Sequence, residues 1–252
     1  MNQTLFLKKV AVSLFSISLF VLFSNSTLPK DDVTRKTLTL SEFKNIALNA
    51  NYTIYLKQTN KQEVTVEALS EIFQLTKIAV KDGTLVVNME RDKSKNKSLW
   101  DKLDKIKINP IMKIYVSMKD VKDLSVNGGG KIIAENSISS KNLNLSVTGS
   151  GDMEVDVKGE TLHTNISGSG NIELKGYAST NNISLSGSGS LHAYEMSLEK
   201  SQAKVSGSGS CEINVSDELK GEIYGSGNIS HKGNTKSVTK KTYGNGNIQR
   251  AY

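Results

Sequence analysis

Apolar and polar residues alternate in short runs through the carboxyl half of the chain, and a recurring Gly-x-Gly tripeptide separates the runs. The first glycines of seven copies are 21, 19, 19, 20, 18 and 19 residues apart. A nearly constant period close to 20 residues is typical of a solenoid, in which each repeat forms one coil. These first glycines are Gly128, Gly149, Gly168, Gly187, Gly207, Gly225 and Gly244.

Aligning the copies on their first glycine shows which positions face inward. Residues two before it are aliphatic in six copies, as in Val147 and Ile166, and those four after it are almost all aliphatic, as in Ile172 and Ile229. Polar residues lie between them, so the period is two and each copy contains strands with one buried face. Because a 19-residue coil cannot form its own core, equivalent strands must pair in parallel from coil to coil. The pattern predicts an all-β fold, a parallel β-solenoid with about 19 residues per coil over residues 124–252.

The repeat glycines have the same parity as the inward-facing residues. We therefore expect them at a corner of the coil, where the tube is too narrow for a side chain or where φ must be positive. The serine or asparagine between and after them is expected to face solvent.

Residues 27–123 are also rich in strands, but the Gly-x-Gly marker is absent before Gly128. Alternating or β-branched runs predict strands at 37–40, 45–48, 53–56, 63–67, 77–80, 85–87 and 113–116, with a turn at Asp82-Gly83. We expect less regular coils here, continuous with the repeats. Residues 91–107 are interpreted as an inserted basic loop in which Ser98–Asp101 resembles a helix cap.

The amino terminus has the pattern of an export signal. Lys8 and Lys9 precede an apolar run from Val10 to Phe23, and Ser24-Asn25-Ser26 follows. This arrangement predicts a signal peptide over residues 1–26 with cleavage after Ser26, and the alternative is an uncleaved anchor. The mature chain is then expected in the periplasm, on the cell surface or outside the cell, without an integral membrane segment.

Composition and charge narrow the range of partners. The chain has 32 basic and 25 acidic residues; removal of Lys8 and Lys9 leaves 30 minus 25, or +5. Most of this excess lies within residues 91–107, so a uniformly basic nucleic-acid binder is not indicated. The single cysteine, Cys211, excludes an internal disulfide framework and occupies an inward aliphatic position.

The repeat motif resembles that of the head GIN domain family, which comprises auto-transporter adhesin-like secreted bacterial proteins. The resemblance rests on Gly168–Ile172, Gly225–Ile229 and Gly244–Ile248, together with the amino-terminal segments Phe43–Leu48 and Lys81–Val87. It covers nearly the whole mature chain and implies a right-handed β-solenoid with no established activity. Gly128–Gly130 and Gly207–Cys211 depart from the usual motif.

No cofactor or metal site is predicted. The glycine-rich motif lies between strands instead of at a strand-to-helix junction, which argues against phosphate binding. Calcium-binding β-rolls have a nine-residue period and a recurrent aspartate, whereas only Asp152 supplies a carboxylate after the second glycine of a copy. The three histidines, His163, His192 and His231, fall at different phases of the repeat.

One outward column could carry chemistry. Five residues past the first glycine, consecutive coils carry Glu154, Glu173, His192 and Glu212. Carboxylates on such a face could supply the acid and base of a polysaccharide-cleaving enzyme. The structural interpretation, a solvated polar face, is favoured because basic partners and aromatic sugar platforms are scarce nearby.

The sequence favours a secreted, non-enzymatic, adhesin-like β-solenoid that acts by surface contact or as an envelope scaffold. Its exposed serine, threonine and asparagine columns could contact a glycan or a cell-envelope polymer. A carbohydrate-active enzyme that uses the carboxylate column is the second hypothesis. The third is a structural module that oligomerises through its coil ends, although Tyr224, Tyr243, His231 and Arg250 indicate a polar end cap.

Overall fold

The computed structural model describes residues 33–90 and 112–251, and strands make up most of them. The predicted signal peptide, the basic loop at 91–107 and the cap at Ser98–Asp101 lie outside the described residues. The single helix of the described part is α1 (Ser70–Leu75). The strands are β1 (Val33–Leu38), β2 (Asn45–Leu48), β3 (Thr53–Gln58), β4 (Glu63–Leu69), β5 (Thr76–Lys81), β6 (Thr84–Met89), β7 (Met112–Met118), β8 (Asp123–Gly128), β9 (Lys131–Ala134), β10 (Ile138–Gly149), β11 (Asp152–Gly168), β12 (Asn171–Gly187), β13 (Ser190–Gly207), β14 (Ser210–Gly225), β15 (Asn228–Lys232), β16 (Ser237–Tyr243) and β17 (Asn247–Arg250).

The carboxyl half winds as a parallel β-solenoid, as the repeat predicts. β10 to β14 pair in sequence order, and each pairs in parallel with the next one. Equivalent apolar residues are paired, so that Ile166 aligns with Leu185 and Leu185 with Val205. The solenoid has about seven turns, about 19 residues apart. The prediction of stacked columns is confirmed.

Two ladders of paired strands run along the solenoid. Face 1 is formed by the strands that precede each Gly-x-Gly corner: β8, β10, the carboxyl-terminal halves of β11–β14, and β16. Face 2 is formed by the strands that follow the corner: β9, the amino-terminal halves of β11–β14, β15 and β17. Outward side chains on each face lie in columns with a rung spacing of about 4.8 Å.

Both glycines of the Gly168–Gly170 corner are crowded by the preceding coil, and the first also has a special backbone conformation. The first adopts a positive φ, +117° at Gly168, where other residues are strained. The second is crowded, because a Cβ on Gly170 would lie 2.3 Å from the Gly151 carbonyl oxygen and 2.5 Å from Val147 Cγ1. The Ser169 and Gly170 amides both donate to the Gly149 carbonyl, at 2.8 and 3.0 Å. The corner therefore brings backbone against backbone from coil to coil.

The amino-terminal strands join the same faces in an order that the sequence did not reveal. β2 pairs in parallel with both β6 and β8, and β3 pairs in parallel with both β7 and β9. The first coil of the chain is thus enclosed between two later ones. Beyond it, β1–β4, β4–β7 and β5–β6 are antiparallel pairs. The amino-terminal part of the chain therefore combines parallel coils, through β2 and β3, with antiparallel pairs that the regular repeats do not have.

A short helix and a tyrosine close the amino end of the core. Ile72 and Leu75 of α1 are each 1% exposed. Tyr52 is fully buried, and its hydroxyl lies 2.6 Å from Thr76 Oγ1, which donates to the Ile72 carbonyl at 2.7 Å. Burial raises the pKa of the Tyr52 hydroxyl. These contacts cover the aliphatic columns where the solenoid starts.

Polar groups close the carboxyl end, as expected from the final repeats. Lys240 pairs in register with Gly221, an inward position, and its ammonium donates to the Ile248 carbonyl at 2.8 Å. Arg250 donates to the Gly233 carbonyl at 3.1 Å. His231 is 4% exposed, and burial, with the nearby charges of Lys240 and Arg250, lowers the pKa of its imidazole. Inward-facing charge at a terminal edge opposes the addition of further strands.

The interior of the described residues is mainly aliphatic, and it contains one cysteine and a cluster of polar side chains. Cys211 is fully buried, and burial raises the pKa of its thiol to about 12. Thr164 and Asn181 interrupt the aliphatic columns, and the Thr164 hydroxyl donates to Asn181 Oδ1 at 3.0 Å. Ser201 donates to the Asn181 carbonyl at 3.1 Å. The side-chain nitrogen of Asn181, Nδ2, has no hydrogen-bond partner in the described part of the chain.

Candidate functional surfaces

Face 2 carries the column that the sequence singled out. Glu154 pairs in register with Glu173, Glu173 with His192, and His192 with Glu212. The four side chains thus lie on consecutive rungs, as the repeat alignment predicts. Their side chains are between 34 and 50% exposed, so the column is solvated.

Charged partners are more common along this column than the sequence suggested. The Lys131 ammonium lies 2.5 Å from Glu154 Oε1, and the Lys175 ammonium lies 3.0 Å from Glu173 Oε1. These hydrogen bonds raise the pKa of both lysines. His192 Nδ1 lies 2.8 Å from Glu212 Oε2. The expectation of scarce basic neighbours is therefore wrong, and the carboxylates are largely occupied by their own neighbours.

A bulge in β13 places an aromatic ring beside this column. The register of β13 against β14 shifts between Ala193 and Ser197. Tyr194 lies in this bulge, and with the column it lines a depression of about 160 Å³. The Lys232 ammonium lies 5.2 Å from the centre of the Tyr194 ring. The spacing of 20 residues between Gly187 and Gly207 was the sequence signal for this bulge.

Face 1 carries a larger and shallower groove, of about 540 Å³, across β11–β13. Its walls come from two outward columns and from the strand backbone beneath them. The outward side chains are those of His163, Asn165, Asn182, Ser184, Gln202 and Lys204. Apart from a histidine and a lysine, the groove therefore presents neutral amides and a hydroxyl.

Two tyrosines extend this surface towards the carboxyl end of the solenoid. Tyr224 and Tyr243 stack with ring centres 4.9 Å apart and planes 15° apart, and they are 42% and 58% exposed. The Lys204 ammonium lies 5.0 Å from the centre of the Tyr224 ring. Because Lys204 also lines the groove, the groove and the tyrosines form one continuous surface. We call this surface, from His163 to Tyr243, the face 1 strip.

At the amino end of face 1, by comparison, outward side-chain amides are hydrogen-bonded to neighbouring side chains. Asn49 donates to Asn88 Oδ1 at 2.8 Å, and Asn127 donates to Asn49 Oδ1 at 2.8 Å. Asn45 donates to Thr84 Oγ1 at 3.3 Å. These amides form a ladder that stabilises the stacking of coils and leaves fewer groups for a ligand.

Neither a metal centre nor a membrane helix is found in the part of the chain that the structure describes. Within residues 33–90 and 112–251, no three His, Cys, Asp or Glu side chains converge in a way that could hold a metal ion. In the same ranges no helix has the length and apolarity needed to cross a bilayer.

These features define a β-solenoid with extended polar faces. Comparison with known families gives a match over residues 42–235 to the family described as "Putative auto-transporter adhesin, head GIN domain". The chain belongs to this family, and the resemblance seen in the sequence is confirmed. No curated protein matches the chain by sequence.

Solved structures share the fold. A "putative adhesin" from Bacteroides fragilis has a TM-score of 0.80 and 22% identity over 88% of this chain and 99% of its own. A "putative lipid binding protein" from Parabacteroides distasonis has a TM-score of 0.70 and 20% identity over 88% and 98%. A "putative adhesin" from Parabacteroides merdae has a TM-score of 0.67 and 22% identity over 88% and 98%. At these identities the likeness is one of fold.

Proposed function

We propose that the chain is an exported, non-enzymatic adhesin-like protein that holds a glycan or another cell-envelope polymer against its solenoid faces. The observation that carries the proposal is the stacking of outward polar side chains in register, as in Asn165, Ser184 and Lys204 on successive coils. A rigid array with a repeat of about 4.8 Å suits a ligand that is itself a repeating polymer. Membership of an adhesin-like family supports the same role.

Export is supported by the amino-terminal pattern of Lys8, Lys9 and the apolar run from Val10 to Phe23. Expression of the full chain in a bacterial host, followed by cell fractionation, tests this part. We expect a mature protein outside the cytoplasm that begins at Thr27. A full-length chain retained in the cytoplasm would contradict it.

The pairing of the carboxylates supports binding over catalysis. A glycosidase needs one carboxyl group kept protonated near neutral pH and one ionised group on the other side of the bond. Here Glu154 and Glu173 are held by lysines in a solvated column. The depression beside Tyr194 favours the enzyme hypothesis as the second candidate, because it combines an aromatic ring with Glu173 and Glu212.

A polysaccharide panel separates the two candidates. Residues 27–252 are incubated with neutral and acidic polysaccharides, and both retention of the protein and release of reducing ends are measured. We expect retention on at least one polymer without release of reducing ends. Release that is lost in the Glu173→Gln and Glu212→Gln variants would overturn the non-enzymatic proposal in favour of the second candidate.

A further inference from the structure

We infer that the face 1 strip binds an acidic polysaccharide that lies along the solenoid axis, across the five coils from His163 to Tyr243. The inference rests on the proposed function and names its ligand class and its site. At about 4.8 Å per coil, four steps give a strip of about 19 Å, enough for several sugar units. Outward groups without an intramolecular partner determine what such a surface can bind.

The amide and hydroxyl side chains of the strip have hydrogen-bonding groups available for a ligand. Asn165, Asn182, Ser184 and Gln202 line the groove, and none of these side chains makes a hydrogen bond to another protein group among the described residues. At the amino end of the same face, Asn49 instead bonds both Asn88 and Asn127. The strip is thus the part of face 1 where donors and acceptors remain available for sugar hydroxyls.

Lys204 supplies the charge preference. Two outward lysines on the following coils of this face are ion-paired, Lys220 at 2.9 Å from Glu218 and Lys241 at 3.5 Å from Glu222. Lys204 is exposed, and no carboxylate of the described residues lies within 4.0 Å of its ammonium. It contacts the Tyr224 ring instead. Its register neighbour on the next coil, Glu222, is paired with Lys241. An ammonium without an ion pair where the groove meets the tyrosines favours a carboxylate or sulfate on the ligand.

The tyrosine pair supplies apolar contact area. In the earlier repeats the position before the first glycine is polar and small, as in Ser186 and Ser206, whereas the last two repeats place Tyr224 and Tyr243 there. Stacking and the Lys204 contact hold the two rings in place, so binding would cost little side-chain entropy. Sugar rings present C–H groups as well as hydroxyls, and tyrosine can contact both.

The experiment measures binding of residues 27–252 to polygalacturonate, alginate and heparin, with fully methyl-esterified polygalacturonate as the uncharged counterpart of the first. We expect the acidic polymers to be retained and the methyl ester to bind at least about tenfold more weakly. Affinity for the acidic polymers should fall as salt is raised.

Variants locate the site. Lys204→Gln and the double variant Tyr224→Ser/Tyr243→Ser, which restores the serine of earlier repeats, are each expected to weaken binding by about fivefold or more. Lys158→Gln and Tyr177→Ser are matched controls, because Lys158 is exposed and Tyr177 is 42% exposed, as Tyr224 is. The controls should bind as the parent does. Circular dichroism and thermal melting check that every variant is folded.

The outcomes separate this inference from the proposed function. Equal binding of the acidic and methyl-esterified polymers, or loss of binding in the controls but not in the strip variants, would overturn the face 1 inference and leave polymer attachment standing. Retention of neutral polymers alone would have the same meaning. Retention of no polysaccharide in the panel would overturn both.

Discussion

At the scale of single residues, the two glycines of the Gly168–Gly170 corner share one physical requirement, and the first glycine has a second. Gly168 needs a positive φ and also the space of its missing Cβ, because a Cβ there would lie 2.5 Å from the Gly149 carbonyl oxygen, whereas Gly170 needs the space alone. Parity in the sequence placed both glycines at a corner, and it offered narrowness and backbone conformation as alternative causes. Both causes apply: the first glycine of the Gly168–Gly170 pair meets both of them, and the second glycine meets only the lack of space.

Replacement of Gly170 by alanine is expected to destabilise the solenoid by about 1–3 kcal/mol, because the new methyl group would lie 2.3 Å from the Gly151 carbonyl oxygen. Ser169→Ala is the matched control, since Ser169 is exposed and lies between the two glycines. It should change the free energy of unfolding by less than about 0.5 kcal/mol. Urea unfolding of both variants provides the measurement, and equal losses would contradict the crowding argument.

His231 should make stability fall on acidification. Its pKa in the folded chain is lowered from 6.5, so below pH 6.5 the unfolded chain binds more protons than the folded chain. Stability is then lost as the pH falls from 6.5 towards the folded-state pKa, and this contribution levels off below it. We expect the melting temperature of His231→Gln to vary less than that of the parent between about pH 7.5 and about pH 5.5.

His192→Gln serves as the control for this titration, because His192 is half-exposed on face 2. It should retain most of the acid sensitivity of the parent. Unchanged acid sensitivity in the His231→Gln variant would show that the carboxyl-terminal cap does not depend on a neutral imidazole.

At the scale of elements, the interior hydrogen bond between β11 and β12 offers a test of how polar groups are tolerated inside a coil. Thr164 and Asn181 are 1% and 0% exposed. Removing one partner leaves the other buried without its hydrogen bond, at a cost of about 1–3 kcal/mol. Replacing both partners with apolar residues removes that cost.

We therefore expect Thr164→Val and Asn181→Leu each to lower the free energy of unfolding. The loss in the double variant should be smaller than the sum of the two single losses. The double variant should lie within about 1 kcal/mol of the parent. A double-mutant cycle by urea unfolding measures the coupling between the two positions. Additive effects would mean that the 3.0 Å bond contributes nothing to the core.

The sequence predicted most strands because alternation is local, and it missed the pairing at the amino end because pairing is not. β2 was predicted with the bounds that the structure has, and β3, β5 and β6 within two residues. The position of β2 and β3 between later coils depends on contacts between residues about 40 apart or more, such as Ile46 with Leu85. No repeat marks those contacts. The helix α1 was also missed, because six residues give too little periodicity.

At the scale of the whole molecule, each coil contacts mainly its two neighbours. The fold should therefore tolerate the removal of one complete coil. Deleting Asn171–Gly189 removes one full coil and joins Gly170 to Ser190, which keeps every column aligned. We expect the shortened chain to fold with a β-rich circular dichroism spectrum and a cooperative melt. Deleting Asn171–Ser179 removes about half a coil and should abolish the cooperative transition. Similar melting of the two deletions would contradict nearest-neighbour stacking.

The candidate surfaces were only partly predictable, because the repeat fixes the register of the strands but not the contacts between side chains of different coils. The repeat placed Glu154, Glu173, His192 and Glu212 in one column correctly, because register follows from the period. It could not show that Lys131 and Lys175 reach their carboxylates. Nor could it show which amides of face 1 remain unbonded, since this depends on side-chain orientation across coils.

The burial of Cys211 bears on whether two copies of the chain could be joined by a disulfide. A thiol that is fully enclosed, with a pKa of about 12, is neither ionised nor reachable by oxidants, so it is not available to cross-link two copies of the chain. Because the thiol is buried, its chemical modification can be used to detect local opening of the fold. An alkylating reagent could modify this sulfur only while neighbouring strands are apart, and its rate of reaction would therefore measure how often β14 separates from β13 or β15.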